Sequence, residues 1–255
     1  MTKTKLDKKK YNTTELNPEV TLARHVYHRD QFAHVIRWTH ILKEARIGDT
    51  IVDFGGGRGD LCELLYRNRF KPKQYTCIDI KDNAKPELKR LDWADFIVED
   101  LVKPQNGTDF NSFQADRVVS FEVIEHVGRQ NAQEFLKNFM ACGNDDATYY
   151  LSTPNYDMLV GAAGNHTYDS GDGRGSAPQE FLHNQLEKEI LEAGFEIVKK
   201  YGTFASIKDY KHKLNDWQQN MFDELREYYD TNLLAVLMAP FFPKESRNCL
   251  WILKR

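Results

Sequence analysis

The sequence predicts an α/β fold: a mostly parallel sheet with helices on both faces. Strand-like runs alternate with helical patterns over most of the chain, and a glycine cluster directly follows the first of those runs. The first observation is the pattern of repeated βαβ units, and the second is how such a unit brings backbone close to a ligand. At 255 residues there is room for one sizeable domain with decorations rather than two independent cores.

Taken in order, Asn17 and Pro18 form a helix cap and first position, and apolar residues at helical spacing (Val26, Phe32, Ala33, Ile36, Ile41, Leu42) predict a long helix ending near residue 45. Residues 1–47 are thus expected as a tail and helical cap, and 48–255 as the main domain. Strands are expected at TIVDF (50–54), YTCIDI (75–80), DFIVED (95–100), DRVVSF (116–121), TYYLST (148–153) and FEIVKKY (195–201). A helix closed by Gly194 leads into the last of these, and a final strand is expected at 248–253. Residues 202–247, with a helical pattern at 214–229, are far more than a hairpin needs and read as an inserted lid or an oligomer contact. The glycine- and alanine-rich stretch 155–178 around His166 is the other long loop, expected to order only around a ligand.

Apolar residues make up 41% of the chain and charged residues 29%, which supports a packed core rather than disorder. The net charge of −3 supplies no global attraction to nucleic acid or anionic membrane, although a nucleic-acid acceptor stays open. Lys3, Lys5, Lys8, Lys9 and Lys10 form one basic run, expected as a solvated tail. Cys62, Cys77, Cys142 and Cys249 contain no CxxC pair, so reduced buried thiols are expected. No signal-like stretch opens the sequence, and the longest greasy run, 233–242, is broken by Pro240, so a cytoplasmic protein without membrane spans is expected.

Ligand chemistry concentrates after the first strand. In Asp53-Phe54-Gly55-Gly56-Gly57-Arg58-Gly59-Asp60 the spacing is D-x-G-x-G-x-G, and Asp60 stands where a dinucleotide fingerprint needs its third glycine. Asp79 follows Gly59 by 20 residues at a strand end, where a carboxylate accepts hydrogen bonds from ribose hydroxyls. Asp100 ends the next strand, placed to accept from an adenine amino group.

Together VDFGGGRGD, YTCIDI, FIVEDL, DRVVSFEVIEHV and EAGFEIV resemble the successive motifs of class I S-adenosylmethionine-dependent methyltransferases, over about residues 48–201. The resemblance implies a Rossmann-like seven-stranded sheet with its last strand antiparallel. It also implies Gly55 and Gly57 under the methionine portion, Asp79 on the ribose, Asp100 and Leu101 at adenine, Phe121 flanking the cofactor, and Asp53 and Ile80 among the other cofactor-binding residues.

Glu122, Glu125 and His126 fall at i, i+3 and i+4, so a helix starting here would project all three into the crevice at the strand ends. Such a trio can hold a divalent cation, or His126 can act as general base; alternatively Glu125 and His126 only bond locally and shape the pocket. E-x-x-E-H followed by STPNY is similar to two metal-using groups, the small-RNA 2′-O-methyltransferases and the ubiquinone-biosynthesis O-methyltransferases. That likeness implies a Glu122, Glu125, His126 and His166 site, better suited to Mn²⁺ than Mg²⁺. The sequence departs from it in the glycine-rich stretch 167–179, which leaves His183 as a substitute fourth ligand.

Cytosine C5 methylation has no Pro-Cys here, and Thr153-Pro154-Asn155-Tyr156 follows the fifth strand rather than the fourth, against the aminomethylating DNA enzymes. The first helix gathers His25, His28, Arg29, Asp30, His34, Arg37, Trp38 and His40. Arg37 could pair the methionine carboxylate, and the histidines could meet an acceptor. Three readings follow: methyl transfer to the hydroxyl of an unidentified acceptor, N-methylation of an amine or nucleobase, and a non-catalytic adenosylmethionine-binding scaffold.

Overall fold

The computed structural model describes residues 29–155, 181–205 and 207–255. The basic tail, the Asn17–Pro18 start, His25, His28, His166 and nearly all of the 155–178 loop lie outside them.

A helix, α1 (Arg29–Glu44), precedes the first strand, and seven strands follow: β1 (Thr50–Phe54), β2 (Gln74–Asp79), β3 (Ala94–Val98), β4 (Ala115–Phe121), β5 (Gly143–Pro154), β6 (Glu196–Phe204) and β7 (Asn248–Lys254). Their order in the sheet is β3-β2-β1-β4-β5-β7-β6, with β7 antiparallel to both neighbours and the other pairs parallel. The predicted α/β sheet with an antiparallel last strand is therefore present. Strand order reverses between β1 and β4, so the crevice for ligands opens beyond the carboxyl ends of these two strands.

Central strands read as nearly unbroken apolar runs because helices cover both faces. On one face Val52, Phe54, Val118, Leu151 and Trp251 pack with residues of α4 (Ala132–Ala141) and α5 (His183–Glu192), among them Phe135, Phe139, Leu186 and Ile190. The other face joins Ile51, Tyr75, Val119, Tyr150 and Leu250 to Leu61, Cys62 and Leu65 of α2 (Asp60–Arg67) and to Ile41 of α1. All four cysteines are buried and free. β6 lies at the sheet edge and keeps charged residues such as Lys199 and Lys200 there, the usual protection of an edge.

Three boundaries differ from expectation. β3 ends at Val98, so Asp100 sits two residues into the following loop. β5 begins at Gly143, several residues early, because Gly143 pairs with Ala115 before a register shift. β6 runs on to Phe204, so the insert starts later than residue 202.

The insert holds short helices α6 (Ile207–Tyr210), α7 (Asp216–Leu225) and α8 (Thr231–Met238). Asn215 caps α7 with Gln218 returning the bond, and the Asp230 carboxylate accepts from the Asn232 amide at the start of α8. Ala235 and Val236 of α8 pack on Phe204 and on Ile36 of α1. The predicted helical cap and the insert thus meet beside the crevice. Among the described residues no helix is long and apolar enough to cross a membrane.

Candidate active site

The glycine turn is shaped by what surrounds it. Gly55 has φ +92°, and a Cβ there would come within 2.5 Å of Val123 Cγ2, so both backbone and space demand glycine. Gly57 has φ +54°, and its N–H donates to Asp79 Oδ2 at 3.0 Å. Asp79 Oδ1 accepts from the Lys81 N–H at 3.2 Å. Asp79 thereby holds the turn as well as lining the cavity beside it.

That cavity, of about 370 Å³, gathers Gly55, Asp79, Ile80, Asp100, Leu101, Glu122 and His126, seven of the residues expected from sequence. Asp100 Oδ1 accepts from the amides of Val102 and Lys103 at 2.8 and 3.1 Å. The sequence reading missed the neighbour that builds this loop, Glu99. It is buried and accepts amide N–H groups from Asp100, Gln105, Asn106 and Thr108. Burial alone would raise its pKa, but those donors win and hold the carboxyl well below the usual range. Two acids in tandem at a strand end were the available signal, since only one can face a ligand while the other organises backbone.

A second cavity of about 590 Å³ adjoins the first, sharing Gly55 and Glu122, and is lined among others by His34, Trp38, Asp53, Gly57 and Phe121. Asp53 is buried and accepts the Tyr75 hydroxyl at 2.6 Å. Desolvation raises its pKa from 3.8 to about 7, against the Tyr75 hydrogen bond and with help from the nearby charges of Asp79 and Asp60. Stability linked to Asp53 is therefore present in full below pH 3.8 and lost as pH rises through 7. Asp53→Asn should accordingly gain stability relative to the parent between pH 4 and pH 8, by up to about 4 kcal/mol. Urea denaturation at the two pH values measures it, and a pH-independent difference would place the ionised form comfortably in the fold.

The Glu122, Glu125 and His126 trio does not share one helical face. Helix α3 is only Ile124–Val127, and Glu122 precedes it in the left-handed region at φ +58°. Glu122 is instead drawn back into the fold. Its Oε1 pairs with Arg37 Nη2 at 3.1 Å and accepts from Ser152 Oγ at 2.9 Å, while Oε2 accepts from Asn248 Nδ2 at 2.8 Å. Arg37 falls with Ala33 and Ile41 on the buried stripe of α1 and also lies over the Phe121 ring at 5.9 Å. Arg37, expected at a cofactor carboxylate, is placed here against Glu122 and is not part of the lining of either cavity.

Glu125 is 1% exposed and accepts from Thr153 Oγ1 at 2.8 Å. Desolvation first, and repulsion from Glu122 second, push its pKa well above the usual carboxylate range. Its Oε1 lies 3.9 Å from Nε2 of His126, whose ring is half exposed in the first cavity. Among the described residues no group of three or more His, Cys, Asp or Glu side chains is arranged to hold a metal. The described members of the expected Mn²⁺ or Mg²⁺ site do not fit one, because Glu122 is taken by three partners and Glu125 is buried and turned toward Thr153. His183, the substitute ligand, is buried edge-on against Trp251 at 5.2 Å, with its pKa lowered by desolvation to about 4.

Strand order, glycine turn and paired cavities make an α/β fold whose crevice opens at the β1–β4 switch point. The chain belongs to the methyltransferase-domain family, whose model matches residues 27–200, and it is a methyltransferase. Its fold is similar to an S-adenosylmethionine-dependent methyltransferase from Clostridium acetobutylicum, at TM-score 0.55 and 12% identity over 92% of this chain and 95% of that one. It is also similar to a TehB-like methyltransferase from Corynebacterium glutamicum, at 0.52 and 14% over 93% and 92%. A third likeness is to the plantazolicin methyltransferase BamL, solved with S-adenosylhomocysteine, at 0.52 and 15% over 87% and 84%. No curated protein matches the chain by sequence.

Proposed function

We propose that the protein transfers a methyl group from S-adenosylmethionine to a hydroxyl oxygen of its acceptor, with His126 as general base. The observation that carries this reading is the single cavity joining Gly55, Asp79, Asp100 and His126. Asp79 and Ile80 would hold the ribose, Asp100 and Leu101 the adenine, and Asp53 with the Gly55–Gly57 turn the methionine portion. Once bound, the cofactor supplies an electrophilic methyl on sulfur, and its C–S bond breaks with the electron pair left on sulfur.

The residues of this chain supply orientation and proton transfer. Trp38 and Phe121 bound the second cavity and exclude water from the line of attack. His126 takes the acceptor proton and, being half exposed, hands it to solvent. Burial and the neighbouring Glu122 push the Glu125 carboxyl behind it toward its neutral form, which lessens the negative charge that would hold the imidazole protonated. A positively charged amine arriving over Gly55 and Gly57 would restore the ionised form of Asp53.

Calorimetry tests the cofactor half of the proposal. S-adenosylhomocysteine should bind in the micromolar range and NAD should not. Asp79→Ala should weaken binding by about 1.5–3 kcal/mol, the scale of hydrogen bonds to a charged group. NAD binding without S-adenosylhomocysteine binding would overturn the assignment, and an unchanged affinity in the variant would move the ribose elsewhere.

A further inference from the structure

The second cavity has walls that say what kind of acceptor it takes. His34 and Trp38 lie one helical turn apart on α1 with rings stacked at 5.3 Å and 28°, and both line the cavity. Phe121, at the end of β4, bounds it from the sheet, with Arg37 against that ring at 5.9 Å. Three rings around one opening next to the glycine turn form a slot for a flat π-face, because offset and edge-on ring contacts gain energy beyond burial of the same area.

Charge points the same way. Of the carboxylates lining the second cavity, Glu122 is paired with Arg37 at 3.1 Å and Asp60 with Lys85 at 2.6 Å, so neither is left open to a cationic acceptor. Proton chemistry adds a further constraint. The base of the proposed reaction is an imidazole, and a phenol, with a pKa near 10, gives its proton to it more readily than an aliphatic hydroxyl, about as weak an acid as water.

We infer that the acceptor presents a planar aromatic ring carrying its hydroxyl, stacked against Trp38 with the oxygen directed to the junction of the two cavities at Gly55 and Glu122. This rests on the proposed methyl transfer and narrows its substrate to a phenol-type acceptor, free or as a tyrosine side chain. In the step itself a new O–CH₃ bond forms, the S–CH₃ bond breaks with its pair left on sulfur, and the phenolic proton leaves through His126.

The experiment compares binding of 1-naphthol and its saturated analogue 1-decalol by saturation-transfer NMR on the full chain, and follows transfer of labelled methyl to the phenols alone. Wild type should favour the planar ring by about fivefold to tenfold, the range expected of ring stacking. Trp38→Leu should bring the two within about twofold, and Trp38→Phe, which keeps a ring, should retain most of the preference. Label entering N-acetyltyrosinamide faster than 1-naphthol would assign the ring to a peptide, and the reverse to a free phenol. Equal binding of the two analogues by wild type, or a preference untouched by Trp38→Leu, overturns the inference. If wild type fails to bind S-adenosylhomocysteine, the cofactor assignment falls, while the ring preference measured without it still judges the slot.

Discussion

Glu122→Gln is expected to destabilise the protein by about 3–5 kcal/mol, because it strips the partner from a charge that cannot reach water. Arg37 is 2% exposed, its Nε has no hydrogen-bond partner among the described residues, and Glu122 is the carboxylate paired with it. In a chain of this size the loss corresponds to a fall of about 10 °C in melting temperature. The double variant Arg37→Met, Glu122→Gln removes both charges and fills the helix stripe with an apolar side chain, so it should recover most of that loss. Thermal and urea denaturation of the two single variants and the double one measure the coupling. Strictly additive losses would mean that the pair is a by-product of packing rather than the bond joining α1 to the end of β4.

His126→Ala should lower kcat by about 10²- to 10⁴-fold, the usual contribution of a positioned base, with little change in S-adenosylhomocysteine affinity. The pH profile separates this from loss of shape. An imidazole base gives the rate an acid limb where protonation removes it, and that limb should vanish in the variant, while the residual rate rises with pH as the acceptor itself ionises. A variant with an unchanged profile would leave His126 as a wall of the cavity and send the proton elsewhere. Glu125→Gln is the companion control. Burial and Glu122 push the native carboxyl toward its neutral form, so its amide should cost far less activity than loss of the imidazole, and a loss as large as that of His126→Ala would show that Glu125 must ionise.

Much of the frame was legible in the sequence because it depends on local pattern. Apolar runs separated by helical periodicity specify strands and helices one at a time, and right-handed crossovers leave few ways of assembling them. The glycine turn was equally readable, since a positive φ and a closely packed neighbour leave glycine as the residue that fits at 55. Asp79, read from its distance along the chain, and Asp100, read from its place after the third strand, line one cavity, because parallel strands bring their carboxyl ends to one side.

What the sequence could not decide is where each charged group spends its charge. Spacing placed Glu122, Glu125 and His126 on one helical face, but the positive φ at Glu122 turns it away before the helix begins, toward Arg37 from 85 residues earlier and Asn248 from 126 residues later. Arg37 looked like an open cation because its partner is remote in sequence. Glu99 looked redundant beside Asp100 because the amides it binds belong to a loop with no pattern of its own. Hydrophobic periodicity is a property of neighbours along the chain and survives in the bare sequence. The pairing of buried charges is settled by which side chains the closed sheet brings within about 3 Å, and tertiary structure alone fixes that.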